Sequence, residues 1–317
     1  MGVYGTSLKG YKSGGVMTKC TPLVFCMTAL LAWSCRAADD FNPAAPPGLP
    51  PGAKMKLNIA YVTNAGEHQR LDLYLPATGT NLPLIVWIHG GGWMEGSKER
   101  PPGLKFLTHG FALASVNYRL SLDAIFPAQL IDCKSAIRWL RAHAAENGID
   151  PNRIGVWGAS AGGHLVALLG TTGDVKEFDQ GENLNVSSRV QAVCDWFGPT
   201  DLTKIMKTPE DVKNDGPDSP TSRLLGGPIA QNIEKAQRAN PIRYITKDDP
   251  PFLIMHGDSD PLVPLEQSQL LKDALQKAGV IVTLEVVPGG GHGGEAFTQP
   301  DERLLLYKFF VDCLKVE

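Results

Sequence analysis

The sequence predicts an α/β protein, a mostly parallel twisted sheet covered by helices on both faces. Two observations lead there. From residue 57 onward, short apolar runs alternate with longer segments of helical periodicity, the pattern of repeated βαβ units. Unusual residues then fall directly after those apolar runs, at Gly90–Trp93, Gly158–Gly163, Asp258–Asp260 and Gly289–Gly294. Open α/β sheets place their sites beyond the carboxyl ends of the strands.

The elements can be justified in turn. Leu57–Val62 and Gln69–Leu75 read as a strand pair, because Arg70, Asp72 and Tyr74 alternate with Leu71, Leu73 and Leu75. Leu84–His89 (LIVWIH) is a continuous apolar run, as a strand buried on both faces should be. Phe111–Asn117 is another strand. Pro127–Asn147 predicts a helix, with Cys133, Ala136, Ile137, Leu140 and Ala144 on one face. Arg153–Trp157 is a short strand, followed directly by a small-residue helix over Ala161–Leu169. Val190–Phe197, Pro251–His256 and Val282–Val287 complete the strands; Leu265–Ala278 and Asp301–Lys315 complete the helices. Crossovers between parallel strands should be right-handed. Residues 199–249, rich in Pro, Asp, Asn and Lys, interrupt the alternation. They predict a small cap inserted over the end of the sheet.

Composition narrows the class. The chain has 317 residues, 43% hydrophobic and 20% charged, which suits a globular protein and not a collagen, coiled coil or disordered chain. Net charge is −3. Lys9, Lys12, Lys19 and Arg36 are the only charges in the first 38 residues, so the remainder is more acidic still. That argues against a nucleic-acid surface, which needs clustered Lys and Arg. Residues 23–33 (LVFCMTALLAW) form an apolar stretch too short for a membrane span, which needs ~20 residues. Lys19 precedes it and Ser34-Cys35-Arg36-Ala37-Ala38 follows. This is the layout of a secretory signal peptide. The expectation is a leader over 1–38, with Met17 as a more usual start, a Pro-rich linker over 39–56, and a folded domain over 57–317. The protein would be secreted or periplasmic, without stable membrane insertion. Cys20, Cys26 and Cys35 lie in the leader. Cys133, Cys194 and Cys313 are left, and the first two fall in apolar patterns that suit buried free thiols.

The chemistry concentrates at four strand ends. Gly158-Ala159-Ser160-Ala161-Gly162 is G-x-S-x-G between an apolar strand and a helix, the context a nucleophile elbow requires. His89-Gly90-Gly91-Gly92-Trp93 follows another strand. Its glycines let backbone N–H groups face a cavity where an oxyanion would form. Gly91, Gly92 and Ala161 are the candidate donors. No Gly-Lys-Ser/Thr follows, which disfavours a phosphate loop. A serine hydroxyl needs a base, and a carboxylate to fix the base's tautomer. Of seven histidines, His292 alone sits in a glycine-rich loop after the last strand. His89 suits a structural task in the glycine loop, His164 points away from the strand ends, and His256 reads as a satisfied buried histidine. Asp260, which leads into the turn before the next helix, is the preferred acid; Asp258 would shape its loop by accepting backbone N–H groups.

With these residues placed, the chain resembles α/β-hydrolase esterases over roughly residues 57–315. It is similar to the H-G-G-G-W branch shared by hormone-sensitive-lipase-like esterases and bacterial feruloyl and acetyl-xylan esterases. The resemblance rests on HGGGW at 89–93, SVNYRLS at 115–121, FPAQLIDCKSAIRWLR at 126–141, GASAGGH at 158–164, PPFLIMHGDSDPLVP at 250–264 and GGGHGG at 289–294. Where the hormone-sensitive-lipase-like group usually has D-Y-R-L-A-P-E, this chain reads Asn117-Tyr118-Arg119-Leu120-Ser121-Leu122. The long FPAQ segment brings it nearer the feruloyl/acetyl-xylan type. The resemblance implies an α/β-hydrolase fold with Ser160 as nucleophile, Asp260 as acid, His292 as base, oxyanion donors at Gly91, Gly92 and Ala161, and Trp93 flanking the acyl pocket, where plain core packing is the competing reading. It implies a serine carboxylester hydrolase without metal or organic cofactor, acting on a small or polysaccharide-linked ester such as an acetyl or feruloyl group. Two other classes stay open: an amidase of arylformamidase type on the same fold, and a non-catalytic ligand-binding relative.

Overall fold

The computed structural model describes residues 46–205 and 215–315, all within one compact unit, Ala45–Glu317. The expected leader, the start of the linker and part of the insertion lie outside the described residues. Eight strands form one sheet: β1 (Lys54–Ala60), β2 (Arg70–Leu75), β3 (Leu82–Ile88), β4 (Ala112–Val116), β5 (Ile149–Ala159), β6 (Ala192–Trp196), β7 (Phe252–Gly257) and β8 (Val282–Val287). Their order is β1-β2-β4-β3-β5-β6-β7-β8. β1 with β2 and β2 with β4 are antiparallel; every other pair is parallel. This is the α/β-hydrolase fold.

Among the described residues the α-helices are α1 (Ala128–Ala142), α2 (Ala161–Thr171), α3 (Pro220–Leu225), α4 (Ile233–Arg238), α5 (Glu266–Ala278) and α6 (Pro300–Leu314). Side chains alternate across each central strand, so each strand feeds two cores. Leu84, Val86 and Ile88 of β3 join α1, α2 and α5 on one face. Ile85 and Trp87 join α6 and the short turn at Leu104–His109 on the other. A fully buried Leu, Ile or Phe contributes about 1.5–3 kcal/mol, so a continuous apolar strand is stable only with both faces covered.

Several boundaries differ from expectation. β1 begins at Lys54, not 57, because Lys54 and Met55 pair with Leu75 and Tyr74. The Pro-rich segment is not wholly free of the core either: Leu49 and Ala53 pack against the α6-side cluster. α1 stops at Ala142, short of Asn147. His143 Nδ1 turns back to the Trp139 carbonyl, the Asn147 amide donates to the His143 carbonyl, and Gly148 takes φ 66°. That left-handed glycine caps the short 3-10 turn, Ala145–Asn147, that follows α1. β5 starts at Ile149, not 153, since Ile149 pairs with Leu82 and a register shift absorbs the residues before Ile154.

Several buried charged groups are paired. Lys98 Nζ lies 3.0 Å from Asp72 Oδ1, with side chains 5% and 4% exposed. Lys134 lies 3.0 Å from Asp179, which also receives Arg138. Cys133 and Cys194 are buried free thiols, as their apolar patterns suggest, and Cys313 is free and half-buried. Among the described residues, no helix is long and apolar enough to cross a membrane.

Candidate active site

The site forms where β3, β5, β6, β7 and β8 end. Ser160 sits between β5 and α2 with φ 56° and ψ −120°. Such a backbone costs about 1–3 kcal/mol and must be held by its surroundings. It is held: Ser160 N–H donates to the Trp196 carbonyl at 2.8 Å and His164 N–H to the Ser160 carbonyl at 3.0 Å. The flanking glycines are required by close approach. A Cβ on Gly158 would lie 2.3 Å from the Gly162 carbonyl oxygen, and one on Gly162 would lie 2.1 Å from that of Ile88.

His292 lies in the loop after β8. Its Nε2 is 2.8 Å from Ser160 Oγ and its Nδ1 2.7 Å from Asp260 Oδ2. A carboxylate only accepts, so Nδ1 carries the proton and Nε2 accepts from the serine hydroxyl. The Asp260 side chain is fully buried and that of His292 17% exposed. Burial alone would raise the Asp260 carboxyl. Hydrogen bonds from His256 and His292 and from the Val263 and Leu262 N–H groups outweigh it and hold the carboxyl well below its ordinary value. Asp258 has the loop-shaping position anticipated for it: Oδ1 accepts from Gly289 N–H at 2.9 Å and from the Ser259 hydroxyl.

The glycine loop lies against the serine. A Cβ on Gly90 would come within 3.3 Å of Ser160 Cβ. The Gly91 carbonyl accepts from Met94 and Glu95 N–H groups, both at 3.0 Å, while among the described residues the N–H groups of Gly91, Gly92 and Ala161 meet no backbone acceptor. Residues 199–249 reach this loop, since Pro220 at the start of α3 stands 3.2 Å from where a Gly92 Cβ would be.

Trp93 is placed in the core. It is 3% exposed and meets His164 edge-on at 5.3 Å between ring centroids. Its φ of 58° turns the side chain inward, and its carbonyl accepts from Ser121 N–H and Oγ. His89 and His164 serve structure. His89 stacks on Tyr118 and bonds the Gly90 carbonyl; His164 Nε2 bonds the Ala239 carbonyl. Burial pushes both imidazoles down to about 4.

Sequence reasoning missed Phe197. Its φ is 43°, and its ring packs 4.7 Å from that of His292 and 4.8 Å from that of Phe297. The only local signal is Gly198 after it. A cavity of about 970 Å³ lies apart from the triad, between Pro47–Pro51, the turn at Leu104–His109 and α6, and shares Trp196 and Phe297 with this aromatic cluster.

Comparison with known proteins agrees with this architecture. The family model BD-FAE matches residues 71–275. The chain belongs to the BD-FAE family. A probable carboxylic ester hydrolase, LipM of Mycobacterium tuberculosis, is 33% identical over 67% of this chain and 50% of its own length. The chain spans about half the length of the curated relatives it matches. Among solved structures, a truncated carbohydrate esterase from gut microbiota superposes with a TM-score of 0.75 at 35% identity, covering 82% of this chain and 95% of that one. An acetyl ester-xyloside bifunctional hydrolase from Caldicellulosiruptor lactoaceticus superposes with a TM-score of 0.64 at 27% identity, covering 84% and 96%.

Proposed function

We propose that this BD-FAE protein is a serine carboxylester hydrolase for short-chain or aromatic acyl esters, such as acetyl or feruloyl groups on plant polysaccharide. The observation that carries the reading is the chain Ser160 Oγ–His292–Asp260, joined at 2.8 and 2.7 Å.

The chemistry follows from that geometry. Ser160 Oγ attacks the ester carbonyl as His292 Nε2 takes its proton. Asp260 holds the imidazole in its Nδ1–H tautomer and stabilises the imidazolium. Negative charge on the tetrahedral oxygen falls to the N–H groups of Gly91, Gly92 and Ala161, where each donor lowers the barrier by about 2.7–4 kcal/mol. The imidazolium returns its proton to the leaving alcohol, and the C–O bond to that alcohol breaks. Water, deprotonated by His292, then splits the acyl-enzyme and releases the acid. The acyl and alcohol preference rests on the carbohydrate and acetyl-ester relatives. The leader pattern of residues 1–38 supports an exported enzyme meeting such a polymer.

The test is steady-state hydrolysis of p-nitrophenyl acetate, butyrate and laurate, methyl ferulate and acetylated xylan, beside Ser160→Ala. Cleavage of acetate and ferulate esters by the wild type alone is expected. Efficient cleavage of a matched amide with negligible ester turnover would overturn the reading.

A further inference from the structure

Asp260 faces two imidazoles. Its Oδ1 accepts the N–H groups of Leu262 at 2.8 Å and Val263 at 2.9 Å. Its Oδ2 accepts His292 Nδ1–H at 2.7 Å and lies 3.4 Å from His256 Nε2. The same Nε2 is 2.9 Å from the Val263 carbonyl. Neither oxygen carries a proton, so Nε2 does, and its N–H is shared between the carboxylate and the carbonyl. His256 Nδ1 is then the bare nitrogen, and it lies 2.6 Å from Ser268 Oγ, which donates to it. His256 and Ser268 are both 0% exposed. The Phe197 ring stands edge-on to the His256 ring at 6.5 Å. The charged or titratable groups around this ring are Asp260, Asp195 at the buried end of β6, and His292 across the carboxylate.

Oδ1 is pinned by two backbone donors. Oδ2 would otherwise be held only by His292, the ring that must exchange protons in each cycle. A second donor on Oδ2 keeps the carboxylate plane in place whichever state His292 is in. It also draws part of the charge away from His292. We propose that His256 is a positioning residue for the acid–base pair, holding Asp260 Oδ2 in line with His292 Nδ1, while the Ser268 hydroxyl fixes the tautomer in which His256 can do so. The proposal rests on the esterase reading for its kinetic consequences, but its geometry can be read without turnover.

His256→Phe, His256→Gln and Ser268→Ala test it. Competent sites are counted first by titration with an organophosphate, so that misfolded protein does not enter the rate. On p-nitrophenyl acetate, His256→Phe is expected to lower kcat per titrated site by about 10–100-fold, the size typical of partners that orient a functional side chain, with KM nearly unchanged. Gln can place an amide N–H near Nε2 and should recover most of the rate; Ser268→Ala, which keeps the ring, should fall between. The acid limb of kcat/KM should move to higher pH in His256→Phe, because a carboxylate relieved of a donor stabilises the His292 imidazolium more. Titrated His256→Phe sites that turn over at the wild-type rate with a superimposable acid limb would overturn the proposal. If the wild type cleaves no ester, the low-field proton resonance of His292 Nδ1–H decides instead. It should shift and exchange faster in Ser268→Ala; an unaltered resonance would overturn the positioning role independently of the esterase reading.

Discussion

Ser160 Oγ and His292 Nε2 lie 2.8 Å apart although 132 residues separate them in the chain. The contact spans the site from the end of β5 to the loop after β8, and α2, β6, β7 and α5 all lie between them in sequence. Any change that slides those strand ends relative to one another breaks it. The site is therefore a readout of the whole parallel half of the sheet.

Removing the hydroxyl isolates the chemistry from the fold. Ser160→Ala should lower kcat by about 10⁴-fold or more, as loss of a triad serine does elsewhere, while the far-ultraviolet circular dichroism stays unchanged. Asp260→Asn should cost about 10⁴-fold by stabilising the wrong tautomer of His292. Wild-type turnover in either variant would disprove the assigned roles.

The elbow glycines answer to space. A methyl on Gly162 would stand 2.1 Å from a carbonyl oxygen of β3, and backbone cannot swing aside as a side-chain tip can. Gly162→Ala should destabilise by about 3 kcal/mol or more, seen as a lowered Tm. Gly66→Ala, where nothing lies within 4 Å of the new Cβ, should leave Tm nearly unchanged. Equal Tm values for the two would refute the steric account.

Buried histidines make stability depend on acid. His89 and His164 are held neutral in the fold, with values near 4 against an ordinary 6.5. The unfolded chain takes up their protons first, so their stabilising effect is complete above pH 6.5 and is lost as pH falls toward 4. At one kcal/mol-scale step per unit, each accounts for about 3 kcal/mol over that window. Asp195 acts in the opposite sense, because burial raises its carboxyl to about 6 and its protonation favours the fold as pH falls below that. Urea midpoints measured from pH 7 to pH 4.5 should fall, and His164→Gln should flatten the slope. A midpoint independent of pH would contradict the assignment.

The Lys98–Asp72 pair should show the cost of an uncompensated charge. Lys98→Met leaves Asp72 buried with the Asn58 N–H as its remaining close donor besides the distant Tyr74 hydroxyl. A loss of about 3–5 kcal/mol is expected by urea unfolding. The double variant with Asp72→Asn should lose less than Lys98→Met alone; a larger loss would point to a packing role for the carboxylate instead.

How much of this was legible in the amino-acid order varies by residue. Ser160, His292 and Asp260 were each marked by a local pattern: a glycine-framed turn, a glycine-rich loop after the last strand, and an Asp leading into a Pro turn. Local sterics demand those patterns, so they are visible before folding. Helix α1 was read five residues too long because its apolar spacing runs past Ala142, while the stop is made by His143 and Asn147 side chains turning back on the backbone. Trp93 was open between acyl pocket and core; a positive φ, invisible in composition, turned it against His164. Phe197 carried no motif at all.

By itself, then, the sequence determined the alternation of strands and helices, the two-sided burial of the central strands, and the identity and chain order of the serine, aspartate and histidine that the fold brings together. These depend on periodicity and on which residues a tight turn will accept, both of which act over a few neighbours. Only the tertiary structure decided the strand order, the antiparallel β1–β2 edge, the approach of Pro220 to the glycine loop, and the second imidazole on Asp260. Those contacts join residues distant in the chain. Their distances are set by sheet twist, register and the packing of both cores, to which no single segment of the sequence bears witness.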